Sequence, residues 1–408
     1  MEIRRLTIKY AKVRIPRMSH WTGKYVIGLT GNIGTGKSVI RKMLEHLGAF
    51  GIDADGLSHQ ATAKGGPAYD QVVQAFGEFV VGEDGQIDRQ ALGNIVFANP
   101  KALAKLEAII HPIVRQAVDI LSKRATQKVI VIEAIKLLEG DIAGWCDAVW
   151  VVNAPDDVQI ARLMQKRKMT SDQARQRIQA QNIQADKLAK ANVVIQNAGS
   201  FEEAWVQVQA AWATLVSGGF AQPEEAATTF VAATQAATVI RSRTTPAISV
   251  RRGKPADAAA IATFVNQVSK PSTPLTRTDI MEAFGQKAFT LAQVNGALGA
   301  LAGWRVDNLV TRIDELHLLP EVSLDSVLKP MLEAIELSSS ELQSEASFIF
   351  LPPAMNASAA AFSAVGYEPI MPEKISITAW REAVKESQPA GTMLLFKKLR
   401  EDRVLRPV

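Results

Sequence analysis

Gly31, Gly36, Lys37 and Ser38 stand at the spacing of a phosphate-cradling loop: a glycine, four residues, a second glycine, a lysine and a hydroxyl. In such a loop the glycines let the backbone wrap an anion, successive N–H groups and a helix N-terminus point at it, and the lysine brings positive charge to the β and γ phosphates. The stretch Gly31, Asn32, Ile33, Gly34, Thr35, Gly36, Lys37, Ser38 and Val39 is therefore expected to hold a nucleoside triphosphate such as ATP, with the Ser38 hydroxyl directed at magnesium (Mg2+). Three carboxylates fall where they can serve it. Asp53 and Asp55 follow a short apolar run, where a carboxylate can take a proton from an acceptor hydroxyl and orient it toward the γ phosphate. Asp55 is the candidate base and Asp53 the second, with a helix cap an equal alternative for Asp53. Glu133 ends a β-branched run in the manner of a Walker B strand and is a candidate for the magnesium shell. Asp53 to Gly56 also fits the DxxG element of GTPases, but it comes too soon after the loop and no NKxD motif follows, which argues against a GTPase.

These groups need a scaffold that brings them to one edge. Lys24 to Thr30 reads as a buried strand and Ser38 to Leu47 as an amphipathic helix, so strand, loop and helix arrive in the required order. Ala49 to Ile52, Lys128 to Glu133, Cys146 to Val152 and Ala191 to Ile195 read as further strands. Their alternation with helical patterns predicts an α/β fold, a parallel sheet with right-handed crossovers whose ligands bind at the carboxyl ends of the strands. Residues from about Gln60 to Lys123 read as a helical insertion covering the acceptor. Gln159 to Lys168 and Ala174 to Gln181 read as two basic helices around a turn at Met169 to Ser171. Such a hairpin can close as a lid, exclude water and bring Arg162 and Arg177 to the charge that builds on a transferred phosphoryl group.

At 408 residues the chain is long enough for two cores, and 47% hydrophobic with 21% charged residues is the balance of neither a disordered nor a membrane chain. The formal charge of +5 is read as basic clefts for polyphosphate ligands, not as a nucleic-acid surface. Cys146 is the single cysteine, which excludes an internal disulfide and a multi-cysteine metal site and suits a reducing, cytoplasmic setting. No apolar stretch reaches membrane-spanning length, and Leu291 to Trp304 comes nearest. Residues 1–23 form a basic extension without the apolar core of a secretory signal. The expected reading is that translation starts at Met18.

From Tyr25 to Gln207 the chain resembles bacterial dephospho-CoA kinase. The resemblance is carried by Ile27 to Ser38, Ile52 to Asp55, Phe76-Gly77, Asp84 to Arg89, Leu106 to Pro112, Arg177 to Gln181 and Ala191 to Gly199. It implies ATP-dependent phosphorylation of the ribose 3′-hydroxyl of dephospho-CoA, the last step of coenzyme A synthesis. It implies Asp55 as the base, with Asp53, His59, Arg89 and His111 toward the acceptor, His111 being equally placed to cap between helices. Lys166, with Arg167 beside it, occupies the position of a lid arginine at the nucleotide. The chain departs from the family at Glu133 to Glu139, which places Lys136 near the site, and at Asn192 and Gln196, which replace aspartates. Other readings with the same loop are a kinase for another small hydroxyl acceptor, or a non-catalytic CoA sensor.

The kinase-like region is expected over 24–216, followed by an Ala, Thr and Pro-rich linker over 217–247 and a second α/β domain over 248–408. There, Ile248 to Gly253 reads as a strand, and Pro255 to Asp257 as the cap of a helix through Gln267. Phe289 to Gln293, Gly299 to Val306 and Glu315 to Leu319 read as a meander, Leu324 to Leu337 as a helix, Ser347 to Leu351 as a strand and Asn356 to Val365 as a helix. This order resembles the GNAT acetyltransferase fold, notably at Val250 to Arg252 and Ala360 to Glu368. Members that bind acyl-CoA take the pyrophosphate on a glycine-rich loop, and the corresponding Leu319 to Leu324 has no glycine. The domain is expected to be regulatory or partner-binding, with His317 and Tyr367 packed and not reactive.

Overall fold

The computed structural model describes residues 19–181, 184–217, 247–307 and 309–405. The segment before residue 19, including Met18, and the linker over 218–246 lie outside the described residues. The chain divides into two compact units at Gln222/Pro223, with the residues from Val404 grouping with the first.

In the first unit β1 (Tyr25–Thr30) leads through the phosphate loop into α1 (Lys37–His46). There follow β2 (Phe50–Asp53), α2 (Ala54–Ala61), α3 (Tyr69–Phe76), α4 (Arg89–Ala98), α5 (Pro100–Arg124), β3 (Val129–Glu133) and β4 (Ala148–Asn153). The unit ends with α6 (Asp156–Arg167), α7 (Ser171–Gln179), α8 (Gln184–Ala189), β5 (Val193–Gln196) and α9 (Phe201–Ser217). The strands form one parallel sheet in the order β2-β3-β1-β4-β5. Every position of β1 and β3 is buried, as runs of Val and Ile predict for central parallel strands. With β3 on one side of β1 and β4 on the other, the phosphate loop opens where the strand order reverses.

α1 turns Ile40, Met43 and Leu44 inward. α2 begins where it does because the Asp53 carboxylate accepts the Gly56 N–H at 2.8 Å, so Asp53 is the cap. The insertion carries its own core, in which Ala61, Val72, Val80, Leu92 and Val96 meet. One expectation is corrected there: His111 does not cap between helices, because α5 runs unbroken through Pro112 and leaves His111 exposed in mid-helix. A proline removes one backbone hydrogen bond; Leu106, Ile109 and Ile110 pack the helix onto the insertion core before that loss, and the buried row Val114, Ala117, Val118 and Leu121 holds it after. The lid hairpin is present, and Thr170 and Gln173 form a reciprocal capping box at the start of α7.

The second unit runs β6 (Ile248–Arg252), α10 (Ala258–Ser269), α11 (Arg277–Phe284), β7 (Ala288–Val294), β8 (Ala297–Asp307) and β9 (Val310–Leu318). It continues with α12 (Leu324–Glu341), β10 (Ala346–Leu351), α13 (Ala359–Ser363), β11 (Glu368–Pro369), α14 (Thr378–Ser387) and β12 (Met393–Lys398). Its sheet has the order β11-β12-β10-β9-β8-β7-β6, an antiparallel meander from β6 to β9 joined to β10 in parallel through α12. The expected helix at Asn356 to Val365 is a 3-10 turn over Pro353–Ser358 followed by the short α13. Asp257 does not cap α10 with its side chain; its two carboxylate oxygens take Arg251 at 2.8 Å each. Tyr367 is packed as expected, buried with its hydroxyl 2.9 Å from Ser347 Oγ. Among the described residues no helix is long and apolar enough to cross a membrane.

Gly28 lies in the middle of β1, where a Cβ would sit 2.6 Å from Leu137 Cδ2 and 2.8 Å from Cys146 Sγ. Gly28→Ala is expected to cost about 1–3 kcal/mol, as overpacking a filled core does. The readout is an earlier urea midpoint at unchanged slope; an unmoved midpoint would show that Leu137 yields freely.

Candidate active site

Three backbone features shape the phosphate loop. Gly34 and Gly36 have φ of +78° and +91°, the left-handed region that glycine tolerates. A Cβ on Gly36 would overlap Asn197 Nδ2, which donates to the Thr35 carbonyl at 2.7 Å. No side chain caps α1 at Gly36, so the first amides of that helix are left for a ligand.

Lys37 is buried, and among the described residues its Nζ has one hydrogen-bond acceptor, the Asn32 carbonyl at 3.4 Å. Burial lowers its pKa, Glu133, Asp55 and Asp53 work against that, and Arg167 adds to it. The structure thus brings Lys37, Asp53, Asp55 and Glu133 into one electrostatic neighbourhood. Asp55 is held by the Ile135 N–H, which donates to Oδ2 at 3.1 Å. Burial and the neighbouring Asp53 push its carboxyl up to about 6, against the opposing pull of that N–H and Lys37. A carboxylate in this state is a stronger base than one in water and is still ionised at neutral pH.

Glu133 pairs across β2 and β3 with Asp53 and reaches α1 with both oxygens. Oε1 accepts from Ser38 Oγ at 2.8 Å and Oε2 from Arg41 Nε at 2.8 Å. Arg41 also pairs with Glu45 at 2.6 Å, and Lys42 with Glu45 at 3.0 Å. Burial works against the Arg41 guanidinium, but Glu45 and Glu133 outweigh it and keep it charged. Lys42 and Arg41 likewise overcome burial at Glu45 and hold it at about 2. With both oxygens engaged, Glu133 stands behind the exposed Ser38 hydroxyl and does not face a cation directly. Among the described residues no group of three or more His, Cys, Asp or Glu could hold a metal by itself.

The lid residues divide. Arg162 Nη1 makes long contacts of 3.4 Å to the Gly34 and Thr35 carbonyls. Arg167 acts electrostatically on both Lys37 and His59. Lys166 and Arg177 are exposed and make no polar contact with the loop among the described residues. For Arg177 the reason is helical phase: Ala174 and Ile178 pack against Ile33 and Leu163, which turns Arg177 outward. His59 lies at the rim, where partial burial and then Arg89 and Arg167 drive its imidazole down to about 4. Arg89 Nη2 lies 3.4 Å from the His59 carbonyl.

Sequence reading placed Lys136 at the site, but Lys136 turns to Glu107 on α5, at 3.0 Å. The lysine that does enter is Lys187 of α8, buried against Asn32 and Ile135. Gln181 and Gln184 were also missed in this role; their side-chain oxygens accept the Ile33 and Asn32 N–H groups at 2.7 and 3.1 Å. The one available signal was that Gln184 and Lys187 are three apart on a helix and so share a face.

The dephospho-CoA kinase family matches residues 25–203. A dephospho-CoA kinase from Moorella thermoacetica is 40% identical over 195 residues, which make up 47% of this chain and 92% of that protein. The chain belongs to the dephospho-CoA kinase family. All the residues of the site, from Gly31 to Asn197, lie inside the span that the dephospho-CoA kinase family matches. Among solved structures, TT1252 from Thermus thermophilus is 31% identical with a TM-score of 0.43, covering 48% of this chain and 97% of that one. A GNAT-family acetyltransferase from Streptococcus pneumoniae is 13% identical with a TM-score of 0.29, covering 37% of this chain and 98% of that one.

Arg41 pairs with two buried carboxylates, so Arg41→Met leaves Glu133 without its cation and Glu45 with Lys42 alone. The variant is expected to lose about 3–5 kcal/mol of stability, the cost of breaking a buried pair. Glu45 is held below its unfolded pKa, so its contribution is present above about pH 4 and is lost as the pH falls toward 2. Urea unfolding at pH 7 and pH 3 checks both: the deficit should be large at pH 7 and smaller at pH 3.

Proposed function

We propose that the region 24–216 transfers the γ-phosphoryl group of ATP to the ribose 3′-hydroxyl of dephospho-CoA, giving coenzyme A and ADP. The observation that carries this reading is the juxtaposition of Lys37 with Asp55: a cation at the phosphate loop and an ionised base anchored to Ile135, each felt by the other. The Asp55 carboxylate takes the proton of the acceptor hydroxyl as its oxygen bonds to the γ phosphorus and the bond to the β–γ bridging oxygen breaks. Phosphoryl transfer asks little covalent chemistry of a protein, so alignment and charge neutralisation supply most of the rate. Lys37 and the open amides of α1 take the β and γ phosphates. Arg162, joined by Arg167 in the part first expected of Arg177, comes to the transferring group when the lid closes. His59 and Arg89 face the acceptor.

The residues fit a magnesium ion: the Ser38 hydroxyl would offer it a ligand oxygen, and Glu133, itself balanced by Arg41, would orient that hydroxyl from behind. When bound, the ion neutralises phosphate charge that Lys37 alone does not cover. The reading places the enzyme in the cytoplasm. The second region, 248–408, is proposed as a non-catalytic or regulatory domain, supported by the lack of glycine between Leu319 and Leu324.

Incubation with ATP, magnesium and a panel of hydroxyl acceptors tests the assignment. CoA formation that depends on Lys37 is expected, whereas phosphate on another acceptor alone would overturn the choice of substrate. kcat/KM should fall tenfold per pH unit below about pH 6, where Asp55 takes up its proton. Asp55→Asn should lower turnover by about 10²–10⁴-fold. The same change should raise the melting temperature at pH 8. A carboxyl whose pKa is raised by folding costs stability as the pH climbs from its unfolded pKa through 6, and the amide does not. Calorimetry of both proteins at pH 8 checks the sign.

A further inference from the structure

Lys187 is 3% exposed and forms no ion pair among the described residues. Its Nζ donates instead to two neutral oxygens, Asn32 Oδ1 at 2.9 Å and the Ile135 carbonyl at 3.1 Å. Burying an ammonium without a carboxylate is costly, and a solvated helix face was open to a residue of this kind. The two partners show what the cost supports. Asn32 belongs to the phosphate loop, where its carbonyl also receives Lys37 Nζ and its N–H is taken by Gln184. Ile135 belongs to the loop after β3, where its N–H holds Asp55. Thr30 Oγ1, at the end of β1, donates to the same Ile135 carbonyl at 3.1 Å. Lys187 therefore bridges the element that cradles the phosphates and the element that fixes the carboxylate.

We propose that Lys187 is a positioning residue that clamps the phosphate loop to the Ile135 loop and so sets the distance from the γ phosphate to the Asp55 carboxylate. The proposal rests on the kinase reading given above. Two further observations support it. Gln184 lies one helical turn before Lys187 and Gln181 just ahead of α8, and all three side chains address residues 32 and 33, while the Gln184 amide also donates to the Val152 carbonyl at 3.0 Å. Two groups of the reaction centre act on Lys187: burial lowers its pKa, Lys37 lowers it further, and Glu139, outside the centre, and Asp55 oppose them. α8 follows directly on the lid hairpin, so the clamp also fixes the base from which the lid moves.

The test uses the full chain with Lys187→Met, which keeps an unbranched apolar stem as far as the ε position and removes the terminal charge and donors. The expected result is a kcat lower by about 10–100-fold, the scale of a slight misalignment, with the KM for ATP changed by less than about threefold. The acid limb of kcat/KM should also move to higher pH, because a cation near Asp55 is gone. Lys187→Arg retains the charge and alters the reach, so its limb should stay in place while kcat still falls. A kcat within twofold of wild type, or a loss of turnover and ATP affinity in parallel with an unmoved limb, would overturn the proposal, the latter reducing Lys187 to a strut. Wild-type protein that forms no CoA would refute the kinase reading instead. In that case carboxyl 13C titration of Asp55, which needs no turnover, decides the clamp: an upward shift in Lys187→Met supports it and no shift overturns it.

Discussion

The first unit is built around uncompensated positive charge. Lys37 and Lys187 are both buried, both lean on Asn32, and neither forms an ion pair among the described residues. The open end of α1 adds the partial charge of its amides to theirs. Carboxylates that would quench this field stand close by, and each is otherwise engaged. Glu133 and Glu45 are taken by Arg41 and Lys42, Asp53 by the Gly56 N–H, and Asp55 by the Ile135 N–H. Arg41, Lys42, Glu45 and Glu133 thus form an internally neutral cluster, which leaves Lys37 and Lys187 to Asp53, Asp55 and an incoming anion. On the proposed reading that anion is the triphosphate, and its binding relieves a cost that folding has already met.

Such segregation depends on the strand order. Because β3 separates β1 from β2, Glu133 sits between the loop after β1 and the carboxylates after β2, within reach of α1 yet held by Arg41. Because β4 and β5 lie on the other side, Asn197 after β5 can reach back to the Thr35 carbonyl. Parallel strands put all these ends at one edge. A sheet with an antiparallel neighbour at β1 would send one of the groups to the opposite edge.

The parts legible in the sequence are those whose cause is local. β-branched runs, a glycine-lysine-serine spacing and a cap at Asp53 each follow from a few adjacent residues, and the five strands of the first sheet appear within a few residues of where the pattern puts them. The meander of the second unit was legible for the same reason. Side-chain direction across elements was not. Arg177 looked like a lid arginine because it is basic and on the right helix, but packing of Ala174 and Ile178 decides the phase of α7, and Arg167 at the end of α6 is the one that acts on Lys37. Lys136 looked close to the site in sequence, and Glu107, 29 residues earlier, draws it away. Lys187 follows Asp186 in a short helix whose charged residues composition alone assigns to solvent. α11, α14 and β12 were unread because short amphipathic stretches take their identity from the sheet they complete.

The raised pKa of Asp55 and the lowered pKa of Lys37 belong to one device. Asp55 works against the shift at Lys37, and Lys37 works against the shift at Asp55. In the empty site the lysine therefore holds the carboxylate at a lower basicity than burial alone would give. On the proposed reading, phosphate oxygens beside Lys37 screen that influence and the carboxylate gains proton affinity when the donor is in place. On that reading the base is thus weaker in the empty enzyme than it is with the donor in place. Coupling of this kind needs no moving part. It needs the two groups close, dry and held, which is what the Ile135 N–H and the shared Asn32 provide.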